Sequence, residues 1–271
     1  MKSQPIRSLV LLMAAVFLFT SCEKVIDIDL DKVEKKYVVD ATLSDQPGSA
    51  RITITKTKDF DQDNVFEGIS DAAVTILDQN GIRYDLTEMS QGIYSHQTLA
   101  AVSGNTYTLR IEVEGEFFTA TSYTPNPTEI DTVTITDETI FGETRKLATI
   151  YFKDPPGRGN YYRFTQAING IRTNQIMIMN DDYSDGRVVS SRLYYFADEE
   201  EDEAVIKSGD QVKINLHTIN SDAYMYWFSL SKGSTGNGQQ GTPANPVSNM
   251  RGGALGYFST YIERSRTVVA P

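Results

Sequence analysis

The chain has 271 residues, with 25 Lys and Arg against 36 Asp and Glu, two His, one Cys and a formal net charge of −11. That length fits one large domain or two small ones with real cores, and a 40% apolar, 23% charged composition excludes wholesale disorder. The acidity argues against nucleic acid, whose phosphates demand a basic surface, and so few Cys and His exclude a disulfide framework, a cysteine-rich zinc site and a multi-histidine centre.

Residues 1–21 have the layout of a signal peptide. Lys2 and Arg7 supply a basic start, and the apolar run Leu9–Phe19 is too short to span a bilayer but suits a leader. Phe19-Thr20-Ser21-Cys22 follows and resembles a bacterial lipobox, with Phe19 in place of the usual Leu. In such a motif the cysteine takes a diacylglycerol thioether and becomes the acylated first residue, so the membrane is expected as a partner through Cys22. The alternative is an ordinary secretory signal with an incidental cysteine. Residues 22–36 alternate charge with Val25, Ile26, Ile28 and Leu30 and read as a tether.

From Tyr37 the pattern is all-β. Tyr37–Leu43 and Ala50–Thr55 alternate with period two around a Pro-Gly turn at 45–48. Ala73–Leu77 and Arg83–Leu86 flank Asn80-Gly81, a hairpin signal, and Gly92–Tyr94 opens another strand. Thr106–Val113 and Phe117–Tyr123 pair across Glu114–Glu116. Seven strands in some 90 residues predict an immunoglobulin-like β-sandwich over 37–127. Pro125-Asn126-Pro127 interrupts the pattern and marks a domain boundary.

Strands resume at 131–136, 146–152, 161–168, 175–179, 188–196 and 212–218. They predict a second β-sandwich, or a partly closed β-barrel, over 128–271. A helix near 222–232 is expected, N-capped at Ser221-Asp222 and ended by Gly233, with Tyr224, Trp227, Phe228 and Ser231 on one face. Residues 233–249 read as a polar, glycine-rich loop, and Gly252–Ser259 as a final glycine-kinked strand.

Chemistry-bearing motifs are sparse. A Ser-His-Asp hydrolase lacks its Gly-x-Ser-x-Gly elbow, and His96 and His217 read as surface or edge histidines. Asp59, Asp61, Asp63 and Glu67 resemble the opening of a calcium loop, since hard cations take several oxygens from one segment. Asn64 and Ser70 replace the Gly and Glu that an EF-hand loop needs, and a solvated hairpin tip is the alternative. No other cofactor is implied. The acidic run Asp198–Glu203 repels itself and reads as a mobile loop or as a docking segment for a basic partner. Tyr, Phe and Trp cluster at 161–162, 194–195 and 224–227. Because neighbours on a strand face opposite ways, about half must be core. The expected ligand or partner surface is Tyr162, Tyr195, Tyr226 and Trp227, with Gly236 and Gly238 giving the loop its flexibility and Asn249 closing it.

Three stretches carry a family resemblance: Cys22–Leu30 with Tyr37–Ala41 and Ile69–Ile76; Gly104–Leu109 with Thr119–Thr121 and Pro125; and Asn245–Asn249 with Gly252-Gly-Ala-Leu-Gly-Tyr-Phe258. Together the chain resembles Bacteroidota outer-membrane lipoproteins of an uncharacterised domain-of-unknown-function family, the DUF4249 type. Such lipoproteins are encoded beside TonB-dependent receptors, and Glu23 after the cysteine weakly resembles their surface-export signals. The resemblance implies an outer-membrane, lipid-anchored protein, surface-facing or on the periplasmic face, with a TonB-dependent receptor as partner. It implies a non-catalytic role in ligand capture or receptor support, with the ligand unidentified. A structural or adhesin-like envelope scaffold and a surface hydrolase are the competing expectations.

Overall fold

The computed structural model describes residues 34–59, 63, 65–140, 142–194, 205–234 and 244–271. Lys35–Pro271 forms one compact unit, almost all β with a single described helix.

Eight strands build a sandwich. They are β1 (Tyr37–Ser44), β2 (Ala50–Lys56), β3 (Ala73–Leu77), β4 (Arg83–Asp85), β5 (Thr87–Ser90), β6 (Ile93–His96), β7 (Thr106–Val113) and β8 (Glu116–Tyr123). Their spatial orders, β1-β2-β6-β5 in one sheet and β4-β3-β7-β8 in the other, are those of an immunoglobulin-type Greek key. The apolar members of each alternation point inward: Val39, Ala41, Ile52 and Ile54 from one sheet meet Ile76, Leu109, Ile111 and Phe118 from the other. Glu114 and Gly115 both have positive φ, which gives the β7–β8 hairpin a two-residue turn matched to strand twist. Tyr107, near the start of β7, accepts a hydrogen bond from Val102 N at 3.0 Å and reaches back to Ala100 O at 3.4 Å. This is the tyrosine corner of immunoglobulin-like domains, and here it pins the β6–β7 crossover without any disulfide.

The second half adds β9 (Ile130–Ile140), β10 (Glu143–Lys153), β11 (Tyr161–Ile168), β12 (Ile171–Arg172), β13 (Met177–Asn180), β14 (Val188–Leu193), β15 (Gln211–Ile219) and β16 (Leu255–Val269). A three-stranded layer, β14-β10-β9, covers β11 and β15 over a second core that includes Ile150, Phe152, Tyr162, Phe164, Ile214 and Leu216.

The last strand changes the expected division into two modules. Its first half, Leu255–Tyr261, pairs parallel with β1, and its second half, Ile262–Val269, pairs antiparallel with β15. The result is one nine-stranded sheet, ordered β12-β11-β15-β16-β1-β2-β6-β5 with β13 also on β11. Met250, Ala254 and Phe258 lie in the first core, so residues 37–127 do not complete their own sandwich. The physical reason is edge protection: β1 would otherwise present an open row of backbone donors and acceptors. The sheet ends at β5 and β12 and does not close, so the second half is a sandwich and not a barrel.

The helix, α1 (Ser221–Ser234), is capped one residue earlier than expected. Asn220 Oδ1 accepts from Ala223 N at 2.9 Å, while its amide donates to Ser122 Oγ at 2.7 Å and to Tyr123 O at 3.1 Å. One side chain thus caps α1 and ties it to β8. Among the described residues no helix is long and apolar enough to cross a membrane.

Candidate functional site

The outer face of the nine-stranded sheet carries the site. Side chains alternate along strands, and directly paired residues share a face. The register therefore fixes who meets whom. Arg163 on β11 lies opposite His217 on β15, which lies opposite Glu263 on β16. One step along the sheet are Thr165 and Asn215, then Ala167, Lys213 and Thr267. Beyond β16, Tyr257 pairs with Asp40 and Asp40 with Thr53, while Thr42 pairs with Arg51. All of these line one cleft of about 670 Å³, joined by Arg172, Tyr261 and, from α1, Trp227.

The cleft is polar and charged, whereas small-molecule sites are predominantly apolar. Four cations, Arg51, Arg163, Arg172 and Lys213, face two carboxylates, Asp40 and Glu263. The Arg163 guanidinium lies on the Trp227 indole at 3.8 Å from the ring centroid. Its Nε–H is buried without an acceptor, and the Asn215 Oδ1 is buried without a donor. Trp227 and Tyr226 stand on Tyr257, Tyr226 stacked at 4.3 Å, so the helix buttresses the cleft wall.

His217 is 5% exposed, hydrogen-bonds Glu263 at 2.9 Å and lies along Tyr261. Burial pushes its imidazole below the usual histidine range against the pull of Glu263, and Arg163 and Arg172 push the same way. The hydrogen bond from His217 draws the Glu263 carboxyl down. Water reaches Asp40 through the cleft, yet protein walls it on most sides, and this desolvation raises its carboxyl against the Tyr257 hydroxyl and Arg163. Burial lifts the Tyr261 phenol to about 12.

The sign of the His217 effect follows from linkage: the unfolded chain takes that proton first, so the histidine costs stability as pH falls below about 6.5. The imidazole is expected to titrate below the ordinary histidine value, read from its ring ¹H and ¹⁵N shifts by NMR across a pH series. Protonation at or above the ordinary histidine value would contradict the site geometry.

A second cleft of about 520 Å³, between β8 and the start of α1, is lined by uncharged residues apart from Asp222. Asp154, Asp181 and Asp185 come within 4.8 Å of one another, but each holds a loop. Asp154 accepts from the Tyr162 hydroxyl and from Gly186 N, Asp181 from Gly159 N and Asn160 N, and Asp185 from Gly157 N.

A family model described as a domain of unknown function, DUF4249, matches residues 23–267. The chain belongs to this family. A search of curated proteins finds no match. The DUF4249 match spans both cores and every strand of the cleft.

Against this DUF4249 fold the expected surface residues separate cleanly. Trp227 lines the cleft, and Tyr226 supports it through Tyr257. Tyr162 does not belong there: it is fully buried beside Phe152, with its hydroxyl on Asp154, because the β11 register turns Tyr161 and Arg163 outward instead. Asn249 is a structural clamp, accepting from Phe258 N and donating to Phe258 O and Thr121 O. Tyr195, Gly236, Gly238 and the run Asp198–Glu203 lie outside the described residues, as do Cys22 and Asp61. Asp59 pairs with Lys35 at 3.5 Å and Asp63 with Lys58 at 2.9 Å, while Glu67 is exposed. His217 is neither a surface nor an edge residue, since β15 runs inside the sheet. His96 does end a strand, β6, where its Nδ1 accepts from Leu99 N at 3.0 Å.

Proposed function

We propose that this DUF4249 chain is a Bacteroidota outer-membrane lipoprotein, anchored through Cys22, that captures a ligand for a TonB-dependent receptor without a chemical step of its own. The observation that carries the reading is the cleft: a concavity large enough for a small ligand, walled by an aromatic helix and lined by four cations that outnumber its two carboxylates. His217 is engaged by Glu263, and among the described residues no hydroxyl or thiol hydrogen-bonds to it as a nucleophile would. The lipobox-like Phe19–Cys22 supports the anchor. Each buried CH₂ of an acyl chain contributes about 0.8 kcal/mol, so two or three chains hold the protein on the membrane. An anchored binder raises the ligand concentration at a receptor's mouth by tethering alone.

Affinity purification of the tagged protein from mildly solubilised outer membranes tests this, with Cys22→Ala as control. Wild type is expected to bring down a TonB-dependent receptor, and the control is expected to leave the membrane fraction. Recovery of no receptor, under conditions that preserve known receptor–lipoprotein pairs, would overturn the uptake reading.

A further inference from the structure

The charges in the cleft run against the charge of the chain. The protein carries −11 overall, yet the cleft gathers four cations against two carboxylates. With His217 held neutral by its surroundings, the lining is net positive. Among the described residues, none of Arg51, Arg163, Arg172 and Lys213 has a carboxylate within 4 Å, although elsewhere on the surface lysines and arginines regularly find one. Like charges gathered in a walled concavity cost free energy unless an anion neutralises them.

Arg163 is the most prepared of the four. Trp227 holds the guanidinium against its ring at 3.8 Å from the centroid, and the Arg163 Nε–H is buried with nothing to accept it. A guanidinium edge is shaped to take a carboxylate through two parallel hydrogen bonds. The remaining groups refine the ligand. The carboxylates of Asp40 and Glu263 would repel a compact dianion such as phosphate. Together with the orphan Asn215 Oδ1 they call for hydrogen-bond donors on the occupant. Thr42, Thr53, Thr165 and Thr267 add hydroxyls that both donate and accept.

We infer that the cleft binds a small carboxylate that also bears hydroxyl or ammonium donors, with its carboxylate on Arg163 and its donors toward Asp40 and Asn215. This deepens the capture reading and rests on it. Arg163 is then the anion anchor, and Trp227 is a positioning residue that holds it in place.

The protein carries its own reporter, because Trp227 is its single tryptophan and lies in the cleft. The experiment titrates the full-length lipoprotein, in a neutral detergent, with trigalacturonate, the dipeptide Gly-Glu, inorganic phosphate and neutral maltotriose. Trp227 emission and calorimetry are followed in parallel. At least one of the two carboxylates is expected to saturate, to weaken as salt rises, and to lose at least tenfold in affinity in Arg163→Gln and severalfold in Arg163→Lys. Both variants should keep the wild-type far-UV spectrum. Phosphate and maltotriose are expected not to bind. Saturable binding of maltotriose or phosphate with none of the carboxylates would overturn the ligand assignment and leave capture standing. Carboxylate binding unchanged in Arg163→Gln would overturn the assigned site. Silence toward all four probes by both readouts would overturn the inference, and recovery of the receptor in the pull-down would then show separately whether the uptake reading survives.

Discussion

Gly256→Val is expected to cost about 3–5 kcal/mol, lowering the thermal midpoint by roughly 10 °C. Gly256 sits in β16 where that strand runs beside β1, paired with Val39. Its φ of +95° belongs to a region that side chains other than glycine's rarely occupy, and a Cβ there would lie 1.9 Å from the Val39 carbonyl oxygen. The obstacle is backbone in a central strand and cannot swing aside. Gly253 is the matched control. Its φ is +97° but a Cβ would meet nothing within 4 Å, so Gly253→Ala carries only the backbone cost, about 1–2 kcal/mol. Thermal or urea unfolding of the two variants separates the terms. Equal losses in both would mean that β16 does not press onto β1 as described.

The first sandwich was legible because its strands obey one local rule. Each has an apolar inward face and a polar outward face, and its turns use Pro, Gly and Asn where those residues are conformationally apt. The short β5 escaped because Thr87-Glu-Met-Ser90 offers no apolar alternation. The far half of β16 escaped for a more informative reason. Glu263-Arg264-Ser265-Arg266-Thr267 looks like exposed loop, since both faces of the strand are polar there. One face is polar because it lines the cleft. The other is polar because Arg264 and Arg266 reach past the core to Asp45, Glu129 and the Asp131 carbonyl. The parallel pairing of β1 with β16 joins residues more than 200 positions apart, and period-two patterns say which face a residue takes, never which strand lies beside it.

The same limit hid the site. Trp227 stood out as the only tryptophan, on a helix with an aromatic stripe. Arg163, Lys213, His217 and Glu263 sit on three different strands, and nothing in their local sequence sets them apart from surface charges. The available signal was a charge at an outward position in a strand otherwise rich in large apolar residues, as in Tyr161-Tyr162-Arg163-Phe164. The error at Tyr162 has the same root. Of two adjacent tyrosines one must face the core, and only the register against β15 decides which.

The shared strand leads to the second large effect. Phe258 is fully buried in the first core but belongs to the C-terminal part of the chain. Phe258→Ala removes an aromatic side chain that packing cannot replace, at an expected cost of about 3–5 kcal/mol. The more telling readout is where the loss appears. If β16 couples the two cores, far-UV circular dichroism and Trp227 emission should both fall in one transition, shifted by the same amount in denaturant. Trp227 is a fair witness for the second half because it stands on Arg163 of β11. A biphasic dichroism curve with an unmoved Trp227 transition would mean that the first sandwich melts alone and the chain is modular after all. Coincident transitions would give the cleft its physical setting. Its walls come from both halves of the sequence, with Asp40 and Arg51 from one and Arg163, Lys213 and Glu263 from the other. A site assembled in this way holds its geometry only while the strand that joins the halves stays folded.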